Sequence, residues 1–183
     1  MFIIGYGYIG KQVALRYIEK GEKVTVVVTS EEKKSHVNNH GIEAICCNLD
    51  HQDLPFNSTR NRDIFYFAPP PSIGIIDNRM RNFLYGLSKS GKPRKIVYMS
   101  TTGVYGDCKG GWIDEKQSIN PQADRAKRRV NAEKLLREWK KKIQYELVTL
   151  RVAGIYGPGR LPLARLEKKN YPCFLIALHV FRT

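Results

Sequence analysis

Three glycines near the start of the chain, Gly5, Gly7 and Gly10, have the spacing of a loop that binds phosphate. They follow a short apolar run, Phe2–Ile4, and precede residues 11–20, whose pattern is helical. In such a strand–turn–helix unit the first glycine permits a tight turn, the second lets the backbone approach a diphosphate, and the third lets the helix pack on the strand. Free N–H groups at the helix N-terminus attract the anion. The pattern predicts a nicotinamide dinucleotide site, and the alternative is a structural glycine turn.

The residues after the second predicted strand, 23–29, are those expected to meet the adenosine ribose. A carboxylate at this place would bind the ribose 2′-hydroxyl and favour NAD. The chain has Thr29 and Ser30 instead, with Lys33 close behind, and this combination suits a 2′-phosphate. Two glutamates also follow, so both NAD and NADP stay open as cofactors, with the preference going to NADP.

Two further strand ends carry residues expected beside the cofactor. Asp50 follows the predicted strand 43–48 and is expected near adenine. Ala68 and Pro69 follow the predicted strand 62–67, and the proline run that they begin ends the sheet because proline lacks a backbone donor. We expect these residues to border the cofactor, and the alternative is a stiff loop without a ligand.

The elements that must position these residues alternate between strand and helix. Further strands are predicted at residues 95–99 and 146–151, and further helices at residues 77–89 and Asp124–Lys142. Such alternation is typical of an α/β fold, a Rossmann-like doubly wound parallel sheet in three layers. We expect one dinucleotide-binding domain over residues 1–160.

Composition limits the classes of partner. The 183 residues include 31 Lys and Arg against 17 Asp and Glu, a net charge of +14, and the excess lies in the second half of the chain. Such charge fits a nucleic acid, an anionic small molecule or a solvated surface, but no basic aromatic strand or helix-turn-helix pattern supports nucleic acid. No apolar run reaches the ~20 residues of a membrane span. The four cysteines lack C-x-x-C spacing, which favours a reduced, cytoplasmic protein.

Several motifs in order resemble the NAD-dependent epimerase/dehydratase family, the extended and atypical short-chain dehydrogenases/reductases. The resemblance covers about residues 1 to 160. The motifs are GYGYIG at 5–10, YMSTTGVYG at 98–106, WIDE at 112–115 with NP at 120–121, AE at 132–133 and LRVAGIYGPG at 150–159.

The resemblance implies catalytic roles for a hydroxyl residue, a tyrosine and a lysine. The hydroxyl residue, which binds the substrate oxygen, is Thr101 here. The tyrosine and lysine places fall on Arg125 and Arg129. A guanidinium does not exchange protons near neutrality, so this pair cannot act as the family's acid and base. Arg129 is still expected to hold a ribose or phosphate.

Tyr105 and Asp124 are the nearest candidates for a replacement base. The alternative is that Tyr105 packs and Asp124 caps the following helix, which we favour. That helix, Asp124–Lys142, has cations crowded in its first turns, and these predict either a bound anion or a solvated face.

Two functions follow from the resemblance. The first is an oxidoreductase or epimerase acting on a small-molecule substrate, a nucleotide sugar or similar carbonyl compound. The alternative is a non-catalytic dinucleotide-binding protein that senses redox state, and a polyanion binder is a third hypothesis.

The residues expected to contact the cofactor are Gly5, Gly7, Tyr8, Ile9, Gly10, Thr29, Ser30, Lys33, Asp50, Ala68, Pro69 and Arg129.

The end of the chain departs from the family pattern. Residues 161–183 form a short tail where the resemblance implies a substrate-binding lobe, so we expect that lobe to be largely missing. The apolar run at 173–178 is expected either to dock on the domain or to promote self-association, for instance as a homodimer.

Overall fold

A computed structural model describes residues 1–52, 54 and 59–160, and the backbone of residues 181–182. Seven strands and four helices form this part of the chain. The strands are β1 (Phe2–Ile4), β2 (Thr25–Val28), β3 (Glu43–Cys46), β4 (Asp63–Tyr66), β5 (Lys95–Thr101), β6 (Glu146–Val152) and β7 (Phe181–Arg182). The helices are α1 (Tyr8–Ile18), α2 (Glu31–Asn38), α3 (Asn78–Ser90) and α4 (Asp124–Lys142). A short 3₁₀ turn, Thr102–Tyr105, follows β5.

The sheet has the strand order β3-β2-β1-β4-β5-β6-β7. The first six strands pair in parallel, and β7 pairs antiparallel with β6. The chain builds outward from β1 to β3, then returns to the other side of β1 to place β4. The boundary between β1 and β4 is therefore the point where strand order reverses, and ligands of such sheets bind in the crevice at the carboxyl ends of these strands.

Each face of the sheet carries its own core, which confirms the predicted three-layer, doubly wound arrangement. On one face, Tyr66 and Tyr98 pack with Phe83 of α3 and Leu136 of α4. On the other face, strand residues such as Ile3 and Val26 pack with Ala14 of α1 and Val37 of α2. The strands read as continuous apolar runs because both of their faces are buried.

Element bounds differ from the sequence prediction mainly beside the glycine loop. Helix α1 begins at Tyr8 and not at residue 11, because Gly7 is already its N-cap and its carbonyl accepts from the Lys11 N–H at 2.8 Å. Strand β3 ends at Cys46, two residues earlier than expected, and β5 continues to Thr101, two residues further. Helix α4 has the predicted bounds. None of the described helices is long and apolar enough to cross a membrane. The expected docking of residues 173–178 lies outside the described residues.

Candidate functional site

The glycine loop lies directly beneath the crevice between β1 and β4. Gly5 has a φ of 95°, and a Cβ there would lie 2.6 Å from the Ala68 nitrogen. A Cβ at Gly10 would lie 2.2 Å from the Gly5 oxygen. The first and third glycines are therefore required by close backbone packing. A Cβ at Gly7 would meet no atom within 4 Å, so this residue borders open space.

The N-terminus of α1 suits an anion in that open space. Gly7 is the N-cap without a side-chain capping bond, and the first turn contains no acidic residue. The first N–H groups of a helix need partners from outside the helix, and they carry a partial positive charge. Because Gly7 leaves room above them, the residues present fit a diphosphate.

The three residues expected at the adenosine ribose are brought together at the end of β2. The Ser30 hydroxyl caps α2 by accepting from the Lys33 N–H at 3.3 Å. The Lys33 ammonium donates to the Thr29 hydroxyl at 3.5 Å. Glu31, the first acidic residue after the strand, pairs with Lys34 at 3.1 Å. The Lys33 ammonium and the hydroxyls of Thr29 and Ser30 thus lie together at the end of β2.

Asp50 is bound by Arg79, a residue that sequence analysis missed. The Arg79 Nε–Oδ1 and Nη2–Oδ2 distances are both 2.6 Å, and Nη1 donates to the Pro69 carbonyl at 2.9 Å. Hydrogen bonding from Arg79 holds the pKa of Asp50 below its ordinary value. Asp50 therefore fixes the wall that Ala68 and Pro69 form, a role beyond the expected contact with adenine, which stays a prediction.

Thr101 ends β5 at the same edge of the sheet. Its hydroxyl accepts from the Gly103 N–H at 3.2 Å, and this bond caps the 3₁₀ turn that follows. Arg129 reaches the same strand end from α4, where Nη1 donates to the Met99 carbonyl at 2.9 Å and to the Tyr98 hydroxyl at 3.2 Å. Thr101 and Arg129 are thus both at the carboxyl end of β5, while Arg125 is exposed to solvent.

Neither buried tyrosine of β5 and the turn after it can replace the family's general acid. Tyr98 lies beside Arg129 but is fully buried, and desolvation raises its pKa well above the ordinary value. Tyr105 is 3% exposed, and its hydroxyl accepts from Arg151 Nη1 at 2.7 Å. Tyr105 is therefore the packing residue that the alternative interpretation described.

The alternative interpretation is wrong for Asp124. The N-cap of α4 is Ala123, and Asp124 is the first residue inside the helix. Its carboxylate pairs with Lys127 at 3.1 Å. An acid within the first turn still stabilises the helix dipole, although it makes no capping bond.

A buried ion pair joins α4 to β6 behind the 3₁₀ turn. Glu133 is 1% exposed, and it accepts from Arg151 Nε at 3.2 Å and from Nη2 at 2.7 Å. Ser100, one residue before Thr101, donates to the same carboxylate at 2.6 Å. This network holds the end of β5 and the turn after it in a fixed relation to α4.

The cations in the first turns of α4 bind protein groups in part. Lys127 pairs with Asp124, Arg129 with the end of β5, and the buried Arg128 donates to the Gly74 carbonyl. Arg128 thereby ties the loop after the prolines to α4. These contacts account for three of the four cations at residues 125 and 127–129, so a bound anion is not needed to explain all of this charge.

The family of the chain is shown by comparison with family models. The model described as the NAD dependent epimerase/dehydratase family matches residues 79–179, more than half of the chain. The chain belongs to this family. The TrkA-N domain model matches residues 1–54, which include β1, α1, β2, α2 and β3 of this family member. No curated protein sequence matches the chain.

Solved structures share the fold of this epimerase/dehydratase family member over most of its length. A functionally unknown conserved protein from Silicibacter pomeroyi DSS is 25% identical with a TM-score of 0.68, covering 93% of this chain and 57% of that chain. The UDP-glucuronic acid 4-epimerase from Bacillus cereus, in complex with NAD, is 19% identical with a TM-score of 0.67, covering 85% and 56%. The yeast methylglyoxal/isovaleraldehyde reductase, complexed with NADPH, is 17% identical with a TM-score of 0.69, covering 85% and 58%. The chain thus matches less than two thirds of the length of these proteins.

Proposed function

We propose that this chain binds a nicotinamide dinucleotide in the crevice between β1 and β4. The observation that carries the proposal is the glycine loop. Gly5 and Gly10 are required by backbone packing, whereas Gly7 borders open space at an uncapped helix N-terminus. Membership of the NAD dependent epimerase/dehydratase family supports the same ligand.

The residues proposed to hold the dinucleotide follow the carboxyl edge of the sheet. The loop with Tyr8 and Ile9 would bind the diphosphate, and Ala68 with Pro69 would border the ligand. Arg129, whose Nη1 donates to the Met99 carbonyl and the Tyr98 hydroxyl, would donate its other N–H groups to a ribose or phosphate. When bound, the dinucleotide supplies a hydride donor or acceptor.

We propose NADP as the preferred form. The end of β2 presents Thr29 and Ser30 with the Lys33 ammonium beside them, and the first acid after the strand is paired with Lys34. A phosphomonoester at the ribose 2′ position gains charge-assisted hydrogen bonds from such a group. Of the two glutamates that follow, Glu31 pairs with Lys34, so the preference for NADP rests on the Lys33 ammonium beside the two hydroxyls.

The role we propose is dinucleotide binding without the family's tyrosine-dependent proton transfer. Arg125 and Arg129 stand at the tyrosine and lysine places, and Tyr98 and Tyr105 are buried in other contacts. A redox-sensing binder needs only the difference in affinity between oxidised and reduced ligand. The second candidate is an oxidoreductase or epimerase acting on a nucleotide sugar or similar carbonyl compound, and Thr101 at the end of β5 favours it because its hydroxyl can bind a substrate oxygen.

The test is a titration with NADPH and NADH in parallel, read by nicotinamide fluorescence and by the melting temperature. We expect saturable binding, tighter for NADPH. Gly7→Val is the diagnostic variant, since a Cβ at this position meets no protein atom within 4 Å and the side chain would enter the space proposed for the diphosphate. It should stay folded, with a small decrease in the ligand-free melting temperature because valine is a poorer N-cap than glycine, and it should lose binding. Absence of binding to wild type, or full binding by Gly7→Val, would overturn the proposal.

A turnover assay separates the two candidates. NADPH oxidation is followed with small carbonyl compounds, and NADP⁺ reduction with nucleotide sugars. The nucleotide sugars are also separated by chromatography after incubation, because an epimerase gives no net change of cofactor. Turnover that Thr101→Ala abolishes, while NADPH affinity is unchanged, would establish the enzyme. Binding without turnover of any of these compounds supports the sensor.

A further inference from the structure

A contact between the two ends of the described domain spans the proposed site. The Tyr8 hydroxyl, in the first turn of α1, donates to the Pro158 carbonyl at 3.3 Å. Residues 157–160 form a tight turn in which Gly157 and Arg160 exchange backbone hydrogen bonds at 3.3 and 2.9 Å. We refer to residues 157–160 as the strap.

The topology makes this contact cross the crevice. Strand β6, from which the strap continues, is separated from β1 by β5 and β4. Three strand spacings amount to about 14 Å. The chain from the end of β6 at Val152 must therefore pass the carboxyl ends of β5 and β4 to reach Tyr8. The six residues 153–158 can span up to about 20 Å when extended, so the distance is within their reach.

The contact surface between strap and loop is closely fitted. A Cβ at Gly157 would lie 2.3 Å from the Tyr8 hydroxyl oxygen, so the strap backbone sits directly on the tyrosine. The Arg160 guanidinium lies over the Tyr8 ring, 5.6 Å from its centroid. Both contacts place Arg160 beside the first turn of α1.

Arg160 adds a second positive group beside the N-terminus of α1. The helix N-terminus is itself positive, its first turn contains no acid, and Lys11 lies within the same helix. Among the described residues Arg160 has no carboxylate partner, and its side chain is exposed. A negatively charged ligand between the strap and α1 would bind both positive groups.

We infer that Arg160 is a ligand of the dinucleotide diphosphate, carried across the crevice by the strap, and that Tyr8 is the positioning residue that holds the strap closed. This inference rests on the proposed dinucleotide site and adds a binding residue to it. The diphosphate would then lie between the α1 N-terminus on one side and the Arg160 guanidinium on the other. Release of the ligand would require the bond between Tyr8 and Pro158 to open.

The test compares three arginine variants by NADPH titration at low and high salt. Arg160→Gln should weaken NADPH binding by about tenfold or more, because a hydrogen bond to a charged group is lost. The deficit should shrink at high salt, since exposed charges are screened. Arg160→Lys keeps the charge without the planar fork, so its affinity for NADPH should lie between those of wild type and Arg160→Gln. Arg16→Gln, an equal change of net charge at the far end of α1, is the matched control and should bind like wild type.

Tyr8→Phe tests the positioning role by kinetics. Removing the hydroxyl keeps the ring that Arg160 lies over but removes the hydrogen bond to Pro158 that holds the strap, so stopped-flow measurements should show faster NADPH dissociation and little change in association. A merely structural role of Tyr8 would lower the melting temperature without this kinetic split.

The outcomes distinguish this inference from the proposed function. If wild type binds neither NADPH nor NADH, the proposed site itself is wrong. If wild type binds and Arg160→Gln stays within twofold of it at low salt, the dinucleotide site stands and the role of Arg160 is wrong. An equal loss in Arg160→Gln and Arg16→Gln would also refute that role, because it would reflect net charge alone.

Discussion

Arg79 binds Asp50 through two parallel hydrogen bonds of 2.6 Å, and its third nitrogen holds the Pro69 carbonyl at 2.9 Å. The guanidinium thereby links the exit of β3 to the exit of β4. Proline carbonyls in a loop lack neighbouring N–H donors to fix them, so an arginine fork is an effective anchor. The border of the proposed cofactor crevice depends on an ion pair whose two members lie 29 residues apart in sequence.

Asp50→Asn is expected to weaken this anchor. The variant loses the charge and one of the two bonds, and we expect a decrease of about 1 kcal/mol in the free energy of unfolding at pH 7. Because the pKa of Asp50 is lowered in the folded protein, the wild-type advantage is present above the unfolded pKa of 3.8 and is lost as the pH falls through the folded pKa. Urea unfolding at several pH values measures this difference in the free energy of unfolding between wild type and Asp50→Asn. Asp107→Asn, at an exposed turn, is the control, and equal effects of the two changes would contradict the anchor.

Asp77→Asn is expected to have the opposite effect. Asp77 is fully buried at the N-cap of α3, where Oδ1 accepts from the Met80 N–H at 3.0 Å and Oδ2 has no hydrogen-bond partner. Burial raises the pKa of Asp77, so its ionised form opposes folding once the pH exceeds 3.8. Asparagine keeps the cap and removes the charge, and we expect a gain of about 1 kcal/mol at pH 7.

The gain from Asp77→Asn should disappear in acid, because both states of wild type are protonated below pH 3.8. Thermal melts of wild type and Asp77→Asn at pH 7 and in acid check both the gain in stability and its disappearance. Asp77→Ala serves as control, since it also removes the capping oxygen and should be less stable than Asp77→Asn. A variant Asp77→Asn that is no more stable than wild type at pH 7 would mean that Arg79, Arg128 and Arg129 compensate the buried charge.

Local sequence patterns were enough to predict the fold and many of the residues that lie at the carboxyl ends of the strands. Helix α4 has the predicted bounds, and its buried residues Ala132, Leu136 and Trp139 have the four- and three-residue spacing of a helix. The start of α1 was placed three residues late, because helical residues Tyr8 and Ile9 lie inside the glycine motif itself. The contacts of Arg79 and Arg160 were not predictable in this way. Both depend on which strand ends become neighbours, and only the tertiary arrangement decides that.

Glu133→Gln should strongly destabilise the protein. The carboxylate is 1% exposed and pairs with Arg151, which is 9% exposed, so the change leaves a buried cation without its anion. We expect a loss of about 3 kcal/mol or more in the free energy of unfolding. Arg137→Gln is the matched control, because Arg137 contacts the same carboxylate at 3.5 Å with a side chain that is 42% exposed, and such pairs contribute about 1 kcal/mol or less. Urea unfolding measures the free energy of unfolding of both variants. Similar decreases in the two variants would show that burial of the pair Glu133–Arg151 does not matter.

Gly157→Ala tests the fit between the strap and the glycine loop through its dependence on Tyr8. In wild type the new Cβ would meet the Tyr8 hydroxyl oxygen at 2.3 Å, whereas the next tyrosine atom lies at 3.5 Å, an ordinary contact distance. The alanine should therefore weaken NADPH binding in wild type, and should do so less when Tyr8→Phe has removed the hydroxyl. Any backbone cost of alanine at this position is the same in both backgrounds and cancels. We expect a coupling of about 1 kcal/mol in the cycle of four NADPH dissociation constants, and effects that add to within about 0.3 kcal/mol would contradict the strap contact.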